Sequence, residues 1–120
     1  MILVSGGAGY IGSHLVHLMS DHNLDVLVVD DLSTGSLSNL PKKIKFININ
    51  IIDEEKLFKS LENYKIDAVF HFAGSISVEE SVQNPLKYFQ NNIVTTISLL
   101  KLCIKKNIKN FIFSSTAAVY

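Results

Sequence analysis

A chain of 120 residues, 48% of them apolar and only two of them proline, has room for one hydrophobic core and the means to build it. Eleven basic residues balance eleven acidic ones, and every basic residue is a lysine; the absence of arginine argues against a nucleic-acid partner. No apolar stretch approaches membrane-spanning length, so no membrane partner is expected, and the single Cys103 permits no internal disulfide. With Met1 directly against the first strand, no signal peptide is expected either, and the whole suits a cytoplasmic, reducing setting.

The first predicted element is a short buried strand at Ile2-Leu3-Val4-Ser5. Gly6-Gly7-Ala8-Gly9-Tyr10-Ile11-Gly12 follows, and an apolar-periodic run (Ile11, Leu15, Val16, Leu18, Met19) begins a helix at once. Strand, glycine turn and helix together form the context of a dinucleotide site. A turn this tight needs backbone angles that glycine adopts cheaply, and a bare helix start offers N–H groups to a diphosphate. Gly6, Gly9 and Gly12 make the spacing G-x-x-G-x-x-G.

A second strand is expected at Asp25–Asp30, a loop from Asp31 to Pro41, and a third strand at Lys45–Asn50. Lys42-Lys43-Ile44-Lys45 reads as a solvated turn rather than a binding patch. Asp53–Tyr64 is amphipathic, with Leu57, Phe58 and Leu61 on one face. A fourth strand is expected at Asp67–Phe72, broken by Ala73-Gly74-Ser75. Asn84-Pro85 is a helix cap followed by proline at the first helical position, and the helix should run to about Lys106. Lys105, Lys106 and Lys109 suit the negative end of its dipole. Asn110–Ser115 is the fifth strand.

Continuous apolar strands alternating with helices imply an α/β, Rossmann-like doubly wound parallel sheet, with the order 3-2-1-4-5. Ligands in such sheets bind beyond the carboxyl ends of the strands, at the switch between strands 1 and 4. The small and polar residues collect at those ends: Gly6-Gly7, Asp30-Asp31, Asn50, Ala73-Gly74 and Ser114-Ser115-Thr116. Asp30, eighteen residues after Gly12, can accept hydrogen bonds from adenosine ribose hydroxyls. It would repel a 2′-phosphate, which favours NAD over NADP. Asp31 reads as a solvated turn residue. Asn50 either bonds an adenine amino group through its side-chain oxygen or caps the following turn. Phe72-Ala73-Gly74 forms a small-residue ledge along which a ribose-nicotinamide half could pass. His14 and His17 lie three apart without an evident third ligand, so no metal site is expected. His71 reads as a core histidine with a satisfied ring, and Cys103 as a buried thiol without an activating neighbour.

These residues, together with Val69-Phe70-His71-Phe72-Ala73-Gly74, Glu80–Tyr88, Asn91-Asn92 and Asn110–Tyr120, resemble the extended short-chain dehydrogenase/reductase family over the entire chain. Within it the pattern is similar to the UDP-hexose 4-epimerases. The resemblance implies that the glycine turn, with the backbone of Tyr10 and Ile11, binds the NAD pyrophosphate. It implies that Asp30, Asp31, Leu32, Ser33, Thr34 and Gly35 hold the adenosine ribose, and that Asn50 and Ile51 face the adenine. Those epimerases commonly carry Asp at the position of Asn50. Phe72, Ala73, Gly74, Ser75 and Ile76 would line the nicotinamide side, where many relatives have lysine at the position of Ile76. Asn91 and Ser114 match cofactor-contacting positions, and Thr116 matches the Ser/Thr that bonds the sugar hydroxyl being oxidised.

The same resemblance places a catalytic Tyr-x-x-x-Lys beyond the fifth strand, outside these 120 residues, and Tyr120 is not that base. The expectation is therefore the NAD-binding domain of a longer enzyme, residues 1–120, without its substrate domain and inactive alone. The family resemblance implies a UDP-hexose partner and a homodimer for the full-length enzyme. Dehydratases of the family place an Asp-Glu pair just after the Thr; Ala117-Ala118 stands there and cannot transfer protons, which favours epimerisation. Another nucleotide-sugar epimerase or decarboxylase, or a stand-alone dinucleotide-binding module, remains open at this point.

Overall fold

Alternation of buried apolar side chains sets the sheet. In the computed structural model, which describes residues 1–73 and 83–114, β1 (Ile2–Ser5) is the central strand. It pairs in parallel with β2 (Val26–Asp30) on one side and β4 (Ala68–His71) on the other. β3 (Lys45–Asn48) lies outside β2, and β5 (Asn110–Phe113) outside β4. The order is β3-β2-β1-β4-β5, all parallel, as the strand–helix alternation predicts.

Successive side chains point to opposite faces of a strand, so each face receives its own core. Leu3, Leu27, Val29 and Val69 pack with Leu57 and Leu61 of α2 (Glu54–Leu61). Leu99, Leu102 and Cys103 of α4 (Thr95–Lys106) join the same layer. On the other face Val4, Val26 and Val28 meet Val16 and Met19 of α1 (Tyr10–Asp21). Each such side chain removed from water contributes about 1.5–3 kcal/mol. Coverage on both faces is why β1 and β2 read as unbroken apolar runs.

Element ends follow local chemistry. Asp53 caps α2, its carboxylate accepting from Lys56 N at 3.2 Å, with Glu54 and Glu55 in the first turn. Asn84 Oδ1 accepts from Lys87 N at 3.3 Å ahead of α3 (Pro85–Phe89). α4 ends at Asn107 in the left-handed region (φ 55°), with Ile108 N donating to Cys103 O at 2.8 Å.

One predicted element is subdivided. The helix expected from Pro85 to Lys106 contains a π-helical stretch, Gln90–Val94, between α3 and α4. Five consecutive β-branched residues, Ile93–Ile97, span the junction and are weak α-helix formers. The Thr96 hydroxyl donates to the Asn92 carbonyl at 2.9 Å there. The strands are also shorter than the sequence suggests; β3 stops at Asn48 and β5 at Phe113.

Candidate functional site

The carboxyl ends of β1, β2 and β4 open onto a cleft of about 340 Å³, at the point where the chain switches from one side of β1 to the other. Its floor is the glycine turn. Gly6 has φ +73°, and a Cβ on it would lie 2.5 Å from the backbone nitrogen of Ala73. A Cβ on Gly12 would collide with the Gly6 carbonyl oxygen, so the first turn of α1 must be bare to sit against β1. Gly9 is the residue before α1 and contributes no side-chain cap; no acidic residue occupies the helix's first turn. Backbone N–H groups and the positive end of the α1 dipole are therefore presented without a built-in anion. A cradle in which a Cβ has no room, beside an uncapped helix start, fits a diphosphate.

Asp30 braces this turn from β2. One carboxylate oxygen accepts from Ala8 N at 3.0 Å and the other from Leu32 N at 2.8 Å. Each oxygen keeps a second lone pair for an outside donor. Asp31 closes its own turn, accepting from Ser33 N at 3.0 Å, and Leu32 takes φ 60° between them. The following loop is stitched back to the glycine turn: Ser36 N and Asn39 Nδ2 both donate to Ala8 O, at 3.2 and 2.9 Å. Gly35 is needed there, because a Cβ would stand 2.6 Å from Ala8 backbone.

Of the residues singled out in the sequence, Gly6, Gly9, Asp30, Asp31, Ser33, Thr34, Asn50, Ile51, Phe72 and Ala73 line the cleft. Tyr10 and Ile11 are exposed at the start of α1, and Gly12 is buried beneath them. Leu32 and Gly35 shape the loop rather than the wall. Ser114 N donates to His71 O at 3.1 Å, holding the end of β5 to β4. Gly74, Ser75, Ile76 and Thr116 lie outside the described residues, as does the side chain of Asn91. Asn50 caps its turn, its Oδ1 accepting from Ile52 N at 3.0 Å, and it also sits on the cleft wall. The amide that holds the turn leaves Nδ2 as the free donor.

Ile49, Lys87 and Thr95 also line the cleft and carry no sequence signal for it. Thr95 reads as part of an apolar helix, and only the winding of the chain brings it beside Phe72. His17 is used structurally, hydrogen-bonded to Asn39 O at 2.7 Å. His71 is buried, and burial pushes its imidazole down from 6.5 to about 4. A wider, more open hollow of about 690 Å³ lies at the opposite end of the sheet, between Tyr64–Asp67 and Lys105–Asn110. Two of its four lysines are already engaged: Lys106 donates to Tyr64 O at 2.9 Å, and Lys105 lies 4.9 Å from the centre of the Phe58 ring. It has no glycine cradle and no helix start.

Comparison with known proteins places the chain among nucleotide-sugar epimerases in sequence and fold. The UDP-glucose 4-epimerase of Azospirillum brasilense is 44% identical over 119 residues, covering 99% of this chain and 34% of that protein. The solved structure of the Thermus thermophilus UDP-glucose 4-epimerase in complex with NAD superimposes with a TM-score of 0.92 at 35% identity, over 96% of this chain and 37% of its own. The Thermotoga maritima UDP-glucose 4-epimerase with UDP-glucose gives 0.92 at 42% identity, over 96% and 37%. This chain thus spans about a third of the length of the relatives it matches. The profile of the NAD dependent epimerase/dehydratase family matches residues 2–120. With the glycine turn, the Asp30 brace and the strand order in place, the chain belongs to the NAD dependent epimerase/dehydratase family.

Proposed function

We propose that this chain is the NAD-binding portion of a UDP-hexose 4-epimerase, which interconverts UDP-glucose and UDP-galactose through a 4-keto sugar. The observation that carries the reading is the uncapped start of α1, shaped by glycines with no room for a Cβ and braced by Asp30. The backbone N–H groups at Tyr10 and Ile11 receive the pyrophosphate. Asp30 offers its remaining lone pairs to the adenosine ribose hydroxyls and repels a 2′-phosphate. Asn50 and Ile51 border the adenine, and Phe72 with Ala73 borders the nicotinamide half. When bound, NAD accepts a hydride from C4 of the sugar and returns it to the other face. Gly74, Ser75, Ile76, Asn91 and Ser114 complete the cofactor contacts, and Thr116 bonds the sugar 4-hydroxyl; these assignments rest on the family resemblance. The general base is assigned to residues beyond position 120.

Two further parts of the reading have their own supports. A cytoplasmic setting suits a chain whose one thiol, Cys103, is buried, with burial raising its pKa away from reactivity. A homodimer suits Ile97, Leu100 and Ile104, which are exposed along one face of α4. Among the described residues, no helix is long and apolar enough to cross a membrane.

Calorimetric titration tests the cradle. NAD is expected to bind at one site, with NADP at least about tenfold weaker, since one repelled or unpaired phosphate contact is worth about 1.4 kcal/mol or more. A folded chain that gives neither heat nor a melting shift with NAD overturns the proposal. In the full-length enzyme that contains this chain, Thr116→Val is expected to lower kcat for UDP-galactose epimerisation by about ten- to a hundredfold, through loss of one hydrogen bond at the reacting oxygen.

A further inference from the structure

Two buried residues beneath the cleft, Ser5 and His71, and the half-buried Thr96 share one unbroken chain of hydrogen bonds. Ser5 Oγ lies 2.6 Å from His71 Nδ1, and His71 Nε2 lies 2.9 Å from Thr96 Oγ1. Thr96 Oγ1 in turn donates to the carbonyl of Asn92, in the π stretch, at 2.9 Å. Each of the three is the immediate neighbour of a cleft-lining residue: Ser5 of Gly6, His71 of Phe72 and Thr96 of Thr95. Ser5 and His71 are essentially inaccessible to solvent.

The direction of the protons is determined by counting. Thr96 has one hydroxyl hydrogen, and Asn92 O takes it. Thr96 Oγ1 can then only accept from His71, so Nε2 carries the ring proton. In the neutral ring Nδ1 is consequently an acceptor, and Ser5 supplies the hydrogen. Every donor in the chain runs from Ser5 toward Asn92, so removing any one member breaks the order.

We infer that His71 is a positioning residue for the cofactor cleft. As its Nε2–H tautomer it joins the ends of β1 and β4 to the junction of the π stretch with α4. It thereby sets how far Gly6, Phe72 and Thr95 stand from one another. This explains a buried polar residue in a parallel strand whose neighbours are otherwise apolar. It also explains why the helix departs from α geometry where it passes His71: the π stretch ends one residue before Thr95, which delivers the Thr96 hydroxyl to the ring. The inference takes the dinucleotide reading of the cleft as given, and its test separates the two.

The ¹⁵N spectrum of the wild-type imidazole is the first readout, with Nε2 protonated and Nδ1 bare as the expected result. The second compares His71→Phe with Leu61→Ala, a core truncation in α2, by amide deuterium exchange without ligand. His71→Phe is expected to speed exchange at Gly6, Phe72, Ala73 and Thr95 together, whereas Leu61→Ala leaves that pattern unchanged. With NAD, His71→Phe is expected to weaken binding by about tenfold, the worth of one buried hydrogen bond lost from the wall. His71→Gln, whose terminal N–H can reach Thr96, is expected to recover most of that loss. An Nδ1–H tautomer overturns the inference, and so does His71→Phe behaving like Leu61→Ala in exchange and in affinity. Should His71→Phe fail to fold, Ser5→Ala and Thr96→Val cut the two ends of the chain and carry the same comparison. If wild-type protein does not bind NAD, the cofactor reading fails alone; the spectrum and the exchange pattern still decide the hydrogen-bond chain.

Discussion

Glycine's missing Cβ does different work along one turn. At Gly12 a methyl would meet the Gly6 carbonyl and the Gly7 backbone, neither of which can yield. At Gly9 the nearest atom would be 3.4 Å away, an ordinary contact. Gly12→Ala is therefore expected to cost about 2–4 kcal/mol in urea unfolding and to abolish NAD binding, while Gly9→Ala unfolds close to wild type. Equal losses for the two would contradict the geometry. His71 makes a second case. Its buried ring, with pKa held down from 6.5 to about 4, binds a proton less well than the unfolded chain does. Stability is thus fully present above pH 6.5 and declines as pH falls toward about 4, by on the order of 3 kcal/mol. His71→Phe should flatten that part of the pH profile measured by urea unfolding. An unchanged slope would assign the loss to other groups.

Helices and strands obey rules of different reach. α2 is specified locally: Asp53 caps it, acidic residues fill its first turn, and its apolar residues fall on one face. Asp53→Ala should lower stability by about 1 kcal/mol without altering NAD affinity, measured by denaturation and calorimetry side by side. The Pro85–Lys106 region is not specified this way. Its apolar spacing reads as one continuous helix, yet a π stretch divides it where Thr96 meets His71. A helix pattern records which face is buried; it does not record an extra residue per turn demanded by a partner 25 positions away. The shortened β3 and β5 have a related cause, since edge strands lose pairing wherever a neighbouring strand ends.

The assembled sheet places the glycine turn, the Asp30 loop and the end of β4 at one edge of the molecule, while lysines collect at the other. Right-handed crossovers leave few other ways to wind this succession of strands and helices, which is why the succession alone implies the order. The exposed apolar row of α4 belongs to this level too. On the reading of the full-length enzyme as a homodimer, replacing Ile97 and Ile104 together by glutamate in that enzyme should shift sedimentation from dimer to monomer and lower the melting temperature. Sedimentation indifferent to both charges would remove that reading.

The amino-acid order by itself determined the layers, the strand sequence in space, the glycine turn and the acidic residue that closes β2. Each depends on a residue's own shape or on neighbours within a few positions, so each leaves a local pattern. Only tertiary structure decided that the loop after β2 is tied back to Ala8, and that Ser5, His71 and Thr96 meet under the cleft. Those outcomes depend on which acceptors lie within reach once distant segments are packed. Hydrogen bonds are directional and short-ranged, and nothing in the spacing of residues along a chain encodes that proximity.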